Sequence, residues 1–555
     1  MNREPRLGAY PAKECPVKTH HRFDPTVSLP ERTSDPGRAA LHDRGLEHEA
    51  AVFAAIVSTR PDAVLISPTS RHPVEDTIDA LDDGAPLVLG GTLPDQADGR
   101  RRGRPDILLR VGADEPARYV PGDVKLHHAT SGTGTVEASP VSDMDRTVTV
   151  PRGSSAHVEG DALQLAHYTR MLQSMGRHPG RDHLRGFIVG GDEWDGLLPD
   201  RFGATWIQLD EPLFRTYSRS SKSAMRTALE RYDHEFAFRL KVADSAVRGT
   251  RPPIVEPVYL GTECDLCDWY PVCEPQLEND ASTAFSSWRP STREWLALRR
   301  LGVRTVDQLA RLSPTEAFWD RYMAEVGKAH RARFRLTEGI EKAAMVMRGV
   351  QLEVLPGTDP APPAADVEVD FDMENDASGH VYLWGARVRT NQDESTATYR
   401  SFVRWDVMTD ETERAVAHEF MNWLLAEHQK AAAAGRSFAA FHHSGIELRK
   451  IREILDTDPS DLPVTFVDTY AYAVRTYRSV GGHGLKFLAR AAGFEWRDED
   501  PSGLSSLEWL SRSQDTSDEV EQNKLRRRIL EYNEDDTAAT AALRDFGSKS
   551  TRRVR

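Results

Sequence analysis

Two sets of residues in this 555-residue chain have the types and spacing to do chemistry. The first is thiol. Cys15 stands alone in KECPVKTHHRFD, while Cys264, Cys267 and Cys273 form ECDLCDWYPVC, and these are the four cysteines of the chain. Four thiolates can hold a cubane iron–sulfur cluster or a tetrahedral zinc ion. Either would clamp together segments that lie far apart in sequence. The second set is carboxylate. Asp106 opens PDILLRV and Asp123 lies near the end of ARYVPGDVKL, two strand-patterned runs joined by the turn-type linker GADEP. Paired strands of this kind bring both acids to one sheet edge, where hard oxygen ligands suit Mg²⁺. Lys125 shares a strand face with Asp123, and its ammonium can position water or offset phosphate charge. An ordinary surface ion pair would explain Asp123 and Lys125 by themselves, but further residues add to them. His48, in the helix-patterned GLEHE, could complete a metal shell. Gln164 and Tyr168 are four apart in GDALQLAHYTRMLQSM and share a helix face that could reach DNA or the lysine. The run GRRRGR (99–104) leads directly into Asp106 and places cationic charge where a phosphate would approach.

A second carboxylate series lies downstream. Asp372 and Glu374 are two apart in VEVDFDMEND, so both face one side of a strand. Two inward acids repel each other unless a cation sits between them; a solvent-facing acidic edge that includes Asp370 and Asp376 is the alternative. Glu447 begins a helix after the strand RSFAAFHH, and Asp468 lies in VTFVDTYAYAV. Tyr532 and Asp536 sit four apart in YNEDD on one face of the last helix.

The elements that must position these residues form a multidomain α/β pattern. Residues 1–36 are an irregular lead-in, and 38–58 read as an amphipathic helix. After the two strands, 127–158 are Ser/Thr/Gly-rich and read as a surface insertion. A helix over 160–175, strands at 184–191 and 204–210, and a long helix to about 247 complete an α/β core. Residues 284–350 are helical. LALRRLGVRTVDQLARLSP there is either a helix-hairpin-helix-like grip for a phosphate backbone or a plain helical linker. The Pro-rich 355–365 mark a boundary, beyond which strands and helices alternate again. The expected domains are therefore 8–280, 284–350 and 366–546, in line with about 100–200 residues per domain. A hydrophobic content of 39% with 11 Trp is enough for buried cores. No run of 18 apolar residues and no apolar leader is present, so the expectation is a reducing cytoplasm and no membrane. A net charge of −15 argues against a general polyanion binder, yet a nuclease needs only a local basic track.

The series H…PD…(D/E)xK…QxxxY resembles the RecB-type nucleases of the PD-(D/E)xK superfamily, with a restriction-endonuclease-like core. The cysteine arrangement resembles the iron–sulfur staple of AddB-type and CRISPR-associated RecB-like exonucleases, and the resemblance covers about 8–280. It implies His48, Asp106 and Asp123 as metal ligands, Lys125 as catalytic lysine, Gln164 and Tyr168 as the QxxxY pair, and Cys15, Cys264, Cys267 and Cys273 around a 4Fe–4S cluster. Zinc remains the alternative. Two departures are an Asp where Glu is commoner in D-x-K, and the insertion 127–158. The downstream series resembles the DEDD exonucleases of the RNase H-like, DnaQ-related fold over about 366–546. It implies Asp372, Glu374 and Asp536 as ligands of two Mg²⁺ or Mn²⁺ ions, with Tyr532 orienting the water. Glu447, which stands where that family supplies Asp, and Asp468, which fits its strand-end acid, are the further metal-ligand candidates, and either could instead be structural. The expected function is metal-dependent hydrolysis of DNA, as an exonuclease on single strands or ends. A second 3′–5′ exonuclease-type domain would act on DNA or RNA. Repair, recombination or defence would be the setting, with a helicase as a partner. The rival is a nucleic-acid-binding scaffold with one or both sites inactive.

Overall fold

The computed structural model describes residues 4–30, 36–194, 196–218, 222–284, 290–327, 331–376, 379–498 and 503–554. They form two compact units, one built from 1–34, 38–278 and 320–330, the other from 35–37, 279–319 and 331–555.

The first unit opens with α1 (Pro16–Phe23), which starts directly after Cys15 with proline at its first position, where a missing N–H costs nothing. Helix α2 (Pro36–Thr59) follows. The central sheet takes its strands from β1 (Ala63–Leu65), β2 (Leu87–Leu89), β3 (Ile107–Arg110), β4 (Tyr119–Val124), β5 (Val136–Pro140), β6 (Val148–Val150), β7 (Arg185–Val189) and β8 (Gly203–Gln208). Their order is β1-β2-β3-β4-β7-β8-β5-β6. Strands β2, β3 and β4 form an antiparallel meander. Helix α3 (Val158–Ser174) then returns the chain to β7, parallel to β4. The register Ile107↔Gly122 sets Asp106 beside Asp123 at one end of the meander. Gly122 is obligatory there, because a Cβ would run into the ring of Phe187 on β7. The segment 127–158, expected as a surface insertion, instead adds β5 and β6 to the sheet edge. Val136, Ala138 and Val150 bury against Trp194 and Leu198, an apolar alternation too short to stand out among the Ser, Thr and Gly around it. Helix α4 (Ala228–Val247) opens with a capping box between Thr227 and Glu230.

In the second unit, β9 (Val367–Asn375), β10 (Val381–Thr390) and β11 (Asp393–Val403) form an antiparallel meander. Strands β12 (Phe438–His442) and β13 (Thr465–Asp468) extend it in parallel, giving the order β11-β10-β9-β12-β13. Helix α5 (Asp410–Ala433) is fixed on this sheet by Phe420, whose ring stacks on Trp384 at 5.0 Å. Helices α6 (Ile446–Leu455), α7 (Leu485–Ala491) and the long α8 (Glu519–Val554) follow. Helices Thr292–Arg300 and Val306–Ala310, joined through Gly302 at φ +88°, also belong to this unit, so most of the expected linker 284–350 is not a separate body.

Strand β9 carries acids at 368, 370, 372 and 374, all on one face, and α8 lies along it. Arg544 on α8 donates to Glu368 at 2.9 Å and pairs with Asp370, and Arg389 donates to Glu368 at 2.7 Å. All four of these side chains are buried. The acidic run is therefore no solvent-facing edge. Two turns earlier α8 presents Asp536, and Asp372 and Glu374 meet a third carboxylate instead of an arginine. Among the described residues no helix is long and apolar enough to cross a membrane.

Candidate functional site

In the first unit a cleft of about 780 Å³ is lined by Asp106, Asp123, Lys125, Gln164, Tyr168 and Glu49, among others. Asp106 Oδ2 accepts from the Val124 N–H at 2.8 Å, which locks it across the β3–β4 end. Lys125 Nζ is ion-paired with Asp123, which is 1% exposed. Burial, followed by the Asp123 charge, pushes the Asp106 carboxyl up to about 9. The Lys125 pKa is raised: burial opposes its charge, but Asp123, Tyr10 and Asp106 together outweigh that. On α3, Gln164 Nε2 donates to Tyr168 OH at 3.2 Å, and that hydroxyl donates to the Arg104 carbonyl at 3.1 Å. The arginine run divides its labour. Arg102 and Arg104 line the cleft, while Arg100 holds Asp244 and Arg101 donates to Tyr232.

His48 is not among the residues lining this cleft, contrary to expectation. Its ring meets Phe202 edge-on at 5.8 Å, and Glu49 faces the acids instead. Burial, then Asp123, raises the Glu49 pKa. Neighbouring helical residues point about 100° apart, so His48 and Glu49 cannot both face the cleft squarely. Tyr10 also lines it, although the irregular lead-in gives no spacing signal for it.

The four cysteines converge although the chain between them is long. All are half-buried free thiols lining one small apolar pocket with His21 and Trp269. Cys15 is anchored there by its own N–H, which donates to Glu263 at 2.7 Å. Burial and the neighbouring sulfurs push the Cys273 thiol up to about 12, and burial takes Cys15 to about 11. Such thiols ionise readily only against a cation, and an all-sulfur donor set fits a thiophilic metal or cluster.

In the second unit, carboxylate oxygens of Asp372, Glu374 and Asp536 all lie within 4.8 Å of one another. A cleft of about 330 Å³ exposes Asp372, Glu447, Lys486, Tyr532 and Asp536. Supporting donors hold each acid. Asn533 Nδ2 reaches Asp372 at 3.2 Å, Ser506 Oγ reaches Glu374 at 2.9 Å, and Trp496 Nε1 reaches Asp536 at 2.7 Å. Gly385, opposite Asp372 in the β9–β10 register, is required, because any Cβ would land on Asn533 Oδ1. Lys486 Nζ donates to Tyr532 OH at 2.8 Å. Burial, then Asp536, raises the Glu374 carboxyl to about 8, and burial with Asp536, Glu374 and Glu447 drives Asp372 far above the carboxylate range. Hard oxygen donors that cannot all ionise together in a dry pocket fit Mg²⁺ or Mn²⁺. Asp468 is occupied elsewhere, since its Oδ1 caps the next helix by accepting from the Ala471 N–H at 3.0 Å. Lys486, Asn533, Ser506 and Trp496 carry no spacing signal of their own, since each acts across the fold.

These raised pKa values set a pH dependence. The folded chain holds the Glu374 proton more tightly than the unfolded chain does. Its contribution to stability is therefore complete below about pH 4.5 and is lost as pH rises to about 8. Metal-free protein should melt at progressively lower temperature across that window. Glu374→Gln should flatten the fall, and Mg²⁺ added at pH 8 should restore most of the loss. Calorimetric scans at each pH check this, and identical slopes for wild type and variant would refute it.

Comparison with family models gives one result. Residues 369–546 match the RNase_H superfamily. The matched segment is the five-stranded unit bearing Asp372, Glu374, Glu447, Tyr532 and Asp536, so this RNase H-like domain carries the acid cluster. Domains of this superfamily typically hydrolyse nucleic acids. Comparison with curated proteins and with solved structures gives no match.

Proposed function

We propose that the chain is a metal-dependent nuclease with two hydrolytic sites. The observation that carries this is the convergence of Asp372, Glu374 and Asp536 beside Tyr532 inside the RNase H-like segment. There Asp372, Glu374, Glu447 and Asp536 would hold two divalent ions, the Tyr532 hydroxyl would orient the attacking water, and Lys486 would keep that hydroxyl in place. Bound ions would supply an activated water and positive charge against the phosphate. The domain would act as a 3′–5′ exonuclease on DNA or RNA.

The first unit would be a RecB-like PD-(D/E)xK nuclease acting on single-stranded DNA or DNA ends. Support comes from the helix–meander–helix–parallel strand order and from the shared cleft of Asp106, Asp123, Lys125, Gln164 and Tyr168. Asp106, Asp123 and Glu49 would bind the ion, and Lys125 would face the phosphate. A 4Fe–4S cluster on Cys15, Cys264, Cys267 and Cys273 would staple the lead-in to the end of this unit, in a cytoplasmic enzyme of repair, recombination or defence.

The test is cleavage of labelled single- and double-stranded DNA and of RNA with Mg²⁺ or Mn²⁺, comparing wild type with Asp123→Asn, Asp372→Asn and the double variant. Full activity in the double variant would refute both sites, and a wild type that binds but does not cleave would leave a binding scaffold. For the cluster, Cys15→Ala should bleach absorbance near ~400 nm. It should also destabilise the first unit by at least a few kcal/mol of the roughly 10–16 kcal/mol that structural metal binding can supply. Differential scanning calorimetry should show one transition shifting and the 366–546 transition unmoved; a colourless wild type containing zinc would replace the cluster with zinc.

A further inference from the structure

A second cavity, of about 450 Å³, adjoins the first-unit cleft and shares Tyr10 and Lys125 with it. Its remaining wall comes from Lys13, His127, Ala156, His157 and the first turn of α3 at Gly160 and Asp161. Beyond β4 the chain bends at Leu126 and His127. Lys125 N–H donates to Val189 O, and Gly191 N–H donates to His127 O at 3.1 Å. Lys125 lines both the cleft and this cavity, and His127 beyond the bend lines the cavity, so the segment after Asp123 leads from the acids into it. His127 is held from both sides: Nε2 lies 3.0 Å from Asp161 Oδ2, and its ring stacks on His157 at 4.1 Å. Lys13 Nζ donates to Gln164 Oε1 at 2.9 Å and sits over the Tyr10 ring at 4.7 Å.

We propose that this cavity is a phosphate subsite, in which Lys13, His157 and His127 hold the backbone phosphate adjoining the one cleaved at Asp106, Asp123 and Lys125. The proposal rests on the hydrolytic reading of those three residues. Two lysines are held at one cavity mouth close enough that Lys125 lowers the Lys13 pKa, second only to burial. An anion between them relieves that repulsion. Asp161, Asp123 and Glu14 offset part of that repulsion, but Asp161 is also engaged by His127 and Asp123 by Lys125. The two cavities adjoin at Tyr10 and Lys125, so the cleft would take the scissile phosphate and the cavity its neighbour. The 127–158 segment supplies Ala156 and His157 to the wall, which gives the extra strands of the sheet edge a role in substrate binding.

The test uses the full chain carrying Asp372→Asn, so that cleavage reports the first unit alone, and single-stranded oligonucleotides, with binding followed by fluorescence anisotropy in Ca²⁺ and cleavage followed in Mg²⁺. Lys13→Gln retains an amide that can reach Gln164 but removes the charge; His157→Ala is the second variant, and both are checked for wild-type melting. The loss should fall on KM rather than kcat, by about tenfold for each variant. The slope of log affinity against log salt should shrink by about 0.7 in Lys13→Gln, as expected when one single-strand phosphate contact is lost. A merely structural role would not move that slope. Unchanged KM and slope in both variants, with Asp123→Asn inactive, would overturn the subsite and leave the hydrolytic reading standing. Inorganic phosphate that competes with the oligonucleotide equally in wild type and Lys13→Gln would also overturn it. First-unit cleavage surviving in Asp123→Asn would remove the reading on which the subsite rests.

Discussion

Asp372→Asn should abolish hydrolysis by the RNase H-like domain while raising the melting temperature of the metal-free protein. The two effects share one cause. Asp372, Glu374 and Asp536 crowd their oxygens within 4.8 Å in a buried pocket. Burial and the neighbouring carboxylates make each negative charge costly in the absence of a cation. Replacing one carboxylate by an amide of the same shape removes part of that cost and keeps an oxygen for the Asn533 amide to bond. It would also remove a ligand of the proposed metal site. Loss of groups that merely orient a ligand costs about 10–100-fold, so loss of the ligand itself should exceed about 100-fold in rate. The measurement belongs in an Asp123→Asn background, where residual cleavage reports the second unit alone. Glu447→Gln should fall with Asp372→Asn, because Glu447 faces the same cleft. Asp468→Asn should not, because asparagine still caps the helix that follows. A variant at Asp372 that cleaves normally, or that melts lower than wild type without metal, would contradict the shared cause.

The contrast between Glu447 and Asp468 shows where sequence reasoning holds and where it stops. Period-two patterning in VEVDFDMEN places Asp372 and Glu374 on one face, and four-residue spacing places Tyr532 with Asp536. Both statements concern a single element, and the backbone geometry of that element is enough. Which of the four acids on β9 is neutralised depends on α8, more than 160 residues away, and only the fold pairs Glu368 and Asp370 with Arg544. The choice between Glu447 and Asp468 is of the same kind. A strand-end acid is as good a helix cap as a ligand until its neighbours are known. In the first unit, His48 and Glu49 differ by one position on a helix, and periodicity does not resolve helical phase to one residue. The segment 127–158 reads as an insertion because its strands are short and their burial depends on Trp194 and Leu198, which arrive later in the chain. The cysteines are legible for a different reason: with four in the whole chain, grouping them needs no geometry.

Lys125→Met should separate stability from catalysis at the first site. Lys125 is paired with a nearly inaccessible Asp123, and Asp106 lies alongside with its carboxyl pushed up to about 9, first by burial and then by Asp123. Removing the ammonium leaves buried carboxylate charge without its partner, a change that costs about 3–5 kcal/mol when a buried pair is broken. In metal-free protein the first unit should therefore melt well below wild type, the opposite of the effect at Asp372. Added Mn²⁺ supplies positive charge to the same carboxylates and should recover most of the deficit. Cleavage should not recover with it. On the proposed assignment the metal charge would sit with Asp106 and Asp123 and the ammonium would offset phosphate charge, and loss of one such group costs about 10²–10³-fold in rate. Lys125→Arg should rescue stability more than rate, because a planar guanidinium replaces the charge but not the compact point donor. Melting and cleavage measured on the same samples across a Mn²⁺ titration decide the matter. If the two recover together, Lys125 acts only by holding Asp123, and a direct role against the phosphate is excluded.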